Sequence, residues 1–382
     1  MSAYAKAVAQ ERITRLASRG LDLVAFWRAC TEVLAPAVPH YMGPCWFTLD
    51  PASLLVTSHF QEGLEEIPSE WLAQEYYEDD FNKMADVARS PRGVSTLHEA
   101  TGGDPSRSPR YQSTIVAYGG EQEMLAGLRT PAGEIWGVLG LYREPGQSMF
   151  DADDLEFVRR LAPALAQGAR RALLLGEATH PEGPEAPGLL VLGADWDVES
   201  MTPGVDRWLA ELPDGDWEHG RLPSAVLAVA GQALRTAGAA APGEVAFARV
   251  LSRAGRWIVL HGAALASDGG RRAAVIVEPA HPARIVPLLM AAYQLTDREQ
   301  EVTRLVLQGS STAQITEELF ISTHTVQNHL KNIFEKTGVR SRRDLVGKVF
   351  FAHYEPRVRD NEQRALEDLP LRGGPLPAAP PA

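Results

Sequence analysis

The sequence predicts a multidomain chain in which two α+β units, each a mixed or antiparallel sheet flanked by helices, precede an all-α unit of four helices. Three observations carry this prediction. The chain has 382 residues, enough for two or three domains of ordinary size. Residues 176–188 are rich in Pro, Gly and Glu and lack periodicity, as linkers do. After residue 291, segments of helical periodicity begin and end at capping residues.

The first α+β unit is expected to span residues 1–175. Residues 3–34 have apolar positions at helical spacing, and short strand-like runs follow at 45–49 and 53–58. Residues 123–129 and 134–142 read as two strands joined by a turn that contains Pro131 and Gly133. An amphipathic helix is predicted over 151–175, with Leu155, Val158 and Leu161 on its apolar face.

The second α+β unit is expected at residues 189–285. Its pattern is a strand at 189–192, helices at 203–212 and 225–237, and three consecutive strands at 244–252, 256–266 and 272–278. Neither unit alternates strands with helices as a doubly wound fold does, which favours the mixed or antiparallel sheet. Residues 355–382 are polar and then Pro-rich, and we expect them to be a disordered tail.

Charge is distributed unevenly along the chain. The net charge is −12, yet residues 293–350 contain eight Lys/Arg and seven Asp/Glu, so the acidity lies elsewhere. The N-terminus has no signal-peptide pattern, and no apolar run reaches the roughly 18–20 residues that a membrane span needs. Cys30 and Cys45 have neither metal nor redox spacing. We therefore expect a cytoplasmic protein with reduced thiols, no metal, no cofactor and no membrane partner.

The segment 291–354 has the helix start and stop signals of a helix-turn-helix. Capping boxes are formed by Thr296 with Glu299 and by Ser311 with Gln314, and Ser322 caps a third helix. Gly309 and Gly338 follow helices at the position where a left-handed residue ends them. Ser341 and Asp344 begin a fourth, shorter helix. A short helix, a tight turn and a longer helix with a polar outer face make up the motif.

The third helix, predicted over 323–337, has the diameter that the DNA major groove admits. Its apolar stripe leaves Gln327, Asn328 and Lys331 on the outer face, where Gln and Asn can read adenine and Lys can read guanine. Hydroxyls, helix-terminal amides and basic side chains suit phosphate oxygens. The predicted phosphate contacts are Ser322, Thr323, Thr325, His329, Arg340, Arg342 and Arg343.

This segment resembles the LuxR-type (GerE-type) DNA-binding domain. The resemblance rests on Leu295-Thr296, Arg298-Glu299, Gly309, Ile315, Ser322, Thr325-Val326, His329, Lys336 and Gly338-Val339, at the family's spacing. At positions 316 and 337 the threonines of this sequence differ from the residues that are usual in the family. The resemblance implies a bacterial transcription regulator that binds double-stranded DNA, and it places base reading on Gln327, Asn328 and Lys331. We expect the protein to form a homodimer and to contact RNA polymerase.

Residues 1–175 resemble GAF-type sensor domains in the layout around Gly93-Val94, the strand 136–143 and the helix after Phe150. Residues 189–285 resemble a PAS-type fold more weakly. Such folds hold a small-molecule effector or only dimerise. Candidate lining residues are Trp46, Phe47, Trp71, Tyr76, Tyr77, Phe81 and Trp136, although aromatic side chains also fill ordinary cores.

Other classes of function find little support in the sequence. The chain has no nucleophile elbow, metal spacing or phosphate loop, so an enzyme is not predicted. Asp79 and Asp80 follow a Tyr/Glu-rich helical stretch instead of an apolar strand, which argues against a phosphoreceiver and favours surface carboxylates. The alternative that stays open is a protein-interaction module of the transcription machinery that uses the helical segment for docking.

Overall fold

A computed structural model describes residues 3–62, 70–174, 187–238, 246–265, 270–280, 290, 293–307, 309–342 and 344–346. These residues form two compact units. The first contains two β-sheets with their helices, and the second contains the C-terminal helices. Most of the predicted linker 176–188 and all of the predicted tail 355–382 lie outside the described residues.

The first sheet is antiparallel and has five strands in the order β2-β1-β5-β4-β3. The strands are β1 (Tyr41–Leu49), β2 (Val56–Phe60), β3 (Val94–Thr96), β4 (Gln122–Arg129) and β5 (Ile135–Arg143). The helices of this part are α1 (Ala3–Ala17), α2 (Leu23–Leu34), α3 (Glu70–Tyr77), α4 (Met84–Arg89), α5 (Leu97–Ala100) and α6 (Ala152–Leu174). A π-helical turn, Tyr111–Val116, precedes β4.

One face of this sheet is covered by α1, α2 and α6. The helical periodicity over 3–34 corresponds to two helices, because Gly20 adopts a φ of 70° and Asp22 accepts a hydrogen bond from the Ala25 amide to start α2. Trp27 of α2 stacks on Trp46 of β1 with ring centroids 4.6 Å apart. The helix predicted over 151–175 is confirmed as α6, although Pro163 lies within it.

The second sheet repeats the strand order of the first. Its order is β7-β6-β10-β9-β8, so in both sheets the strands run second, first, fifth, fourth, third. The strands are β6 (Gly188–Leu192), β7 (Val198–Met201), β8 (Phe247–Leu251), β9 (Trp257–Leu265) and β10 (Arg272–Pro279), with helices α7 (Val205–Glu211) and α8 (Ser224–Gly238). Sequence periodicity predicted each of these strands except β7.

The two sheets share one hydrophobic core. Phe47 and Val138 of the first sheet belong to the same buried cluster as Leu190 and Val275 of the second. Every residue from 225 to 231 in α8 is buried. A helix that is apolar on all sides lies inside a core and not at its surface. The segments 1–175 and 189–285, which the sequence suggests as separate domains, therefore pack as one unit.

Helix α3 joins the two parts of this core. Gly231 of α8 faces Ala73 of α3 so closely that an added Cβ would lie 2.3 Å from the Ala73 carbonyl oxygen. Elsewhere in the unit, Arg249 of β8 donates to Asp50 after β1 at 2.6 Å within the core. The His59 amide of β2 donates to Asp214 at 2.7 Å. Polar and apolar contacts alike thus connect the two sheets.

The helical unit has its own core, between α9 (Asp297–Leu307), α10 (Thr312–Leu319) and α11 (Thr323–Thr337). The core side chains include Val302, Leu305, Val306, Ile315, Val326, Leu330, Ile333 and Leu345. Ser341 accepts a hydrogen bond from the Asp344 amide at 3.1 Å and so begins the predicted fourth helix. Its continuation beyond residue 346 lies outside the described residues. No helix in the described part of the chain has the length and apolar character to cross a membrane.

Candidate nucleic-acid interface

The caps predicted from sequence fix the ends of α10 and α11. Ser311 and Gln314 form a complete capping box at the start of α10. The helix ends at Phe320, which adopts a left-handed φ of 52° and is 94% exposed. Two residues later the Ser322 hydroxyl accepts from the Thr325 amide at 3.1 Å and begins α11. The short helix α10 and the longer helix α11, joined by this turn, make the helix-turn-helix.

Helix α9 holds α11 through one carboxylate. Glu299 accepts from the Thr296 amide at 2.8 Å, while the Thr296 hydroxyl accepts from the Glu299 amide at 3.3 Å, so the predicted capping box is confirmed. The same Glu299 carboxylate accepts from Nζ of Lys336 in α11 at 2.6 Å, and it is buried. Lys336 also donates to the Gln294 carbonyl at 2.9 Å. One end of α11 is thereby fixed to α9.

The two faces of α11 differ sharply. The buried stripe consists of Val326, Leu330, Ile333 and Thr337. Gln327, Asn328 and Lys331, the predicted base-reading residues, are all exposed. Helical residues three or four apart share a face, so these three side chains present two amides and an ammonium to a common surface. Those are the groups that hydrogen-bond to base edges in a major groove.

Sequence reasoning missed His324 on this face. It is exposed, one turn before Asn328, and the Asn328 Nδ2 lies 3.3 Å from its Nε2. The spacing alone could have revealed it, because 324, 328 and 331 follow the same three-and-four rule that identified the other residues.

The predicted phosphate contacts fall into different environments. Ser322, Thr323 and Arg340 are exposed, whereas Thr325 and His329 are half-buried. The first two stand at the N-terminal end of α11, where amides and the helix dipole favour anions. Arg343 lies outside the described residues.

Arg342 has a structural role in the unit. Its guanidinium donates to the Ser310 carbonyl at 2.8 Å and to the Thr312 hydroxyl at 2.9 Å. These bonds fix the turn between α9 and α10. Two of its guanidinium nitrogens donate to groups of the protein itself, so Arg342 stabilises the helix-turn-helix internally.

Comparison with known proteins assigns this unit to a family. Residues 293–349 match the family described as "Bacterial regulatory proteins, luxR family". Spore germination protein GerE of Bacillus subtilis (strain 168) is 48% identical over 52 residues, which are 14% of this chain and 70% of that protein. The chain belongs to the luxR family of bacterial regulatory proteins. It is thus a DNA-binding transcription regulator, and proteins of this family are regulators rather than enzymes.

Solved structures similar to this luxR-family chain include sensor domains. The phycoerythrobilin-bound GAF domain of a cyanobacterial phytochrome is 16% identical and covers 44% of the chain and 97% of its own length, with a TM-score of 0.32. The VqsR LBD domain from Pseudomonas aeruginosa is 18% identical over 44% of the chain and 96% of its own, with a TM-score of 0.30. SdiA in complex with octanoyl-rac-glycerol is 13% identical over 93% and 98%, with a TM-score of 0.33. These scores are too low to establish a common fold.

The first sheet of this luxR-family protein borders a cavity of about 30 Å³. A buried water needs about 10–15 Å³ measured in this way, so the cavity has room for roughly two waters. Trp71 of α3 forms one wall, and the turn that carries Thr114 and Ile115 forms another. The remaining lining residues are Met42, Cys45, Arg110, Tyr118 and Tyr142.

Of the aromatic residues proposed as pocket lining, only Trp71 borders this cavity. Trp46 is fully buried in the cluster that the first sheet forms with α1, α2 and α6, where its indole nitrogen donates to Thr31 at 2.9 Å. The Tyr76 hydroxyl accepts from the Val56 amide at 2.9 Å. Phe81 lies under the Arg107 guanidinium, 4.8 Å from its ring centroid, and Trp136 is buried within β5. These four pack into the fold and not around the cavity.

Arg110 is the charged centre beside the cavity. It donates to both oxygens of the buried Glu123, contacts Asp80 at 3.1 Å, and donates to the carbonyls of Phe81 and Asn82 at 3.1 and 3.2 Å. Burial lowers its pKa, but the Glu123 carboxylate more than offsets this and raises it. The hydrogen bonds of this guanidinium are thus made to acceptors within the protein.

Of the neighbouring acids Asp79 and Asp80, the first matches the sequence-based expectation and the second does not. Asp79 is an exposed carboxylate, paired with Arg235 at 3.0 Å, as predicted. Asp80 is not a surface carboxylate, because its side chain is 8% exposed and faces Arg110. Nearby, burial raises the pKa of Glu75 to about 7.

Cys30 and Cys45 are buried free thiols, and burial raises the pKa of both. Over the described residues, no cluster of three or more His, Cys, Asp or Glu side chains is arranged to hold a metal ion.

Proposed function

We propose that this regulator reads a specific DNA sequence by placing α11 in the major groove, with Gln327, Asn328 and Lys331 on base edges. Ser322, Thr323, Thr325, His329 and Arg340 are proposed to contact the phosphates, with Arg343 beyond them. Two copies acting as a homodimer would read half-sites about one helical turn apart. The protein would then act on RNA polymerase bound nearby.

One observation carries this proposal, namely the polar face of α11 opposite its buried stripe. Lys331 forms no ion pair with another described residue, and Gln327 is exposed beside it. Exposed amides and a cation on a capped, rigid helix are available for direct readout. The absence of a strongly basic charge in residues 293–350 argues that specificity depends on these groups more than on bulk attraction.

The test is selection from a randomised DNA pool with the full-length protein, followed by affinity measurements for the wild type and Lys331→Ala. Enrichment of one inverted repeat supports the proposal and the dimer. Loss of Lys331 should cost about 1–3 kcal/mol on the selected site and less on other sequences. An equal loss on every sequence would limit Lys331 to a phosphate contact. No enrichment at low salt would favour the docking module.

We also propose that a signal received by the sheet-containing unit controls DNA binding. The cavity beside Trp71 supports this, because it is lined mainly by apolar and aromatic side chains with a few polar groups, as ligand sites are. Its present volume suits only a very small molecule. A larger effector would need the turn at residues 111–116 to move away from the sheet.

The signal proposal is tested by thermal unfolding of the full chain in the presence of a library of small apolar molecules. A ligand of this cavity should raise the Tm of the wild type but not of Thr114→Trp, whose indole would fill the space. Thr14→Trp, at an exposed position on α1, is the control and should respond as the wild type does. The DNA affinity is then measured with and without the ligand. An unchanged affinity would contradict control by this cavity.

A further inference from the structure

The centre of the exposed face of α11 includes residues that the sequence did not single out. Each residue advances a helix by about 100°. The direction opposite the buried stripe therefore falls on positions spaced by four, three and four residues. We call these positions the reading column, and they are His324, Asn328, Lys331 and Glu335, all of them exposed. Gln327 lies on one flank of this column and Asn332 on the other.

His324 is in contact with its neighbour in the column. Nδ2 of Asn328 donates to Nε2 of His324 at 3.3 Å. A side-chain amide nitrogen is a donor only, so Nε2 is the acceptor in this contact. The contact fixes which way the Asn328 amide faces, since a side-chain amide has a donor on one side and an acceptor on the other.

The orientation of this amide has a consequence for DNA. With one N–H committed to His324, Asn328 keeps its second N–H and its Oδ1. Adenine presents an acceptor at N7 and a donor at N6 in the major groove, and a bidentate amide satisfies both. A freely rotating amide loses side-chain entropy when it adopts that geometry. An amide already held by a neighbour loses less.

We propose that His324 determines specificity in this protein by orienting the Asn328 amide for an adenine contact, and that it faces the groove itself. The inference rests on the proposed reading of DNA by α11. It assigns a role to a residue outside the set Gln327, Asn328 and Lys331.

The experiment compares full-length variants by selection from a randomised DNA pool and by affinity on the selected site with single-base changes. His324→Ala removes the acceptor. It should reduce discrimination roughly tenfold at one base position, the same one that Asn328→Ala affects. His324→Gln restores an acceptor one turn from Asn328 and should recover part of the discrimination. The double variant His324→Ala/Asn328→Ala should lose no more than Asn328→Ala alone.

Asn332→Ala is the matched control, because Asn332 is exposed on the same helix but off the reading column. It should leave the base preference unchanged. Since both positions are exposed, circular dichroism should show that each variant keeps its helix content. An unchanged base preference in His324→Ala would overturn the inference, and so would an equal loss of affinity on all sequences. Failure of the wild type to enrich any site would instead overturn the proposed function, and the inference with it.

Discussion

At the scale of single residues, the charge pair between Asp50 and Arg249 illustrates how the fold constrains a buried polar group. Asp50 Oδ2 accepts from the Arg249 amide at 2.9 Å and from Nε at 2.8 Å, while Oδ1 accepts from the guanidinium at 2.6 Å. Both side chains are almost fully buried. Breaking such a pair leaves one charge in the core without its counter-ion.

Asp50→Asn should therefore lower the free energy of unfolding by about 3–5 kcal/mol. Denaturant titration of the full chain measures the change. Glu11→Gln is the control, because it breaks the exposed Arg15–Glu11 pair and should change stability by less than about 1 kcal/mol. Similar small effects for both variants would mean that the Asp50 pair contributes nothing beyond a surface contact.

Glu75 supplies a second prediction, on pH. Burial of its carboxyl raises the pKa from 4.5 to about 7, although the hydrogen bond that the carboxyl accepts from the Met84 amide at 2.7 Å acts in the opposite direction. The folded state thus binds a proton more tightly than the unfolded state does. This stabilising contribution is complete below pH 4.5, and it declines as the pH rises towards 7. The decline should reach about 1.4 kcal/mol per pH unit.

Glu75→Gln lacks this titration. Urea unfolding of the wild type and the variant at intervals between pH 4.5 and 8 should show a difference in stability that falls up to about pH 7 and then levels off. A difference that stays constant with pH would contradict the raised pKa of Glu75.

Which residues the sequence could predict depends on how local their determinants are. Ser311, Ser322 and Glu299 act within one helical turn, and their predicted caps are confirmed. Asp80 could not be placed, because its partner Arg110 is thirty residues away and reaches it only through the tertiary fold. The bonds of Arg342 to Ser310 and Thr312 could not be predicted for the same reason, since they cross between helices, and its phosphate contact stays a prediction.

At the scale of elements, periodicity located the long strands and helices, whereas the short helix α3 was indicated only as a Tyr/Glu-rich helical stretch without bounds. Eight residues are too few for a clear period, and its aromatic side chains point in several directions. Trp71 borders the cavity, Ala73 meets α8, and the Tyr77 ring lies 6.1 Å from that of Trp196 in the second part of the unit. The position of α3 follows from these contacts and not from its own sequence.

The close contact between α3 and α8 predicts that a single methyl group added at Gly231 destabilises the protein. Gly231→Ala would place a Cβ 2.3 Å from the Ala73 carbonyl oxygen, so the two helices must separate. Overpacking of this kind costs about 1–3 kcal/mol. Gly238→Ala, in the same helix, meets nothing within 4 Å and should be neutral or stabilising by up to about 1 kcal/mol. Equal stability of the two variants in thermal unfolding would argue against a tight α3–α8 contact.

At the scale of the whole molecule, two sheets of the same strand order share one core, although a linker-like sequence lies between them. The pattern of strands revealed both sheets, because alternation is a local property. Their union was not predicted, since it depends on α8, whose apolar residues also suit a core helix within a single domain. The helical unit, in contrast, encloses its own cluster around Val302, Ile315 and Leu330.

A shared core implies shared unfolding. Hydrogen exchange of the native full-length protein in low denaturant should give amides of β5 and β10 the same opening free energy and the same denaturant dependence, because neither sheet can lose its core without exposing the other's. Amides of α11 belong to a separate core and should open with their own free energy. Opening of β10 at a lower free energy than β5 would contradict this prediction. A common value would mean that a change felt by either sheet alters the stability of both, so that the two sheets respond to it as one unit.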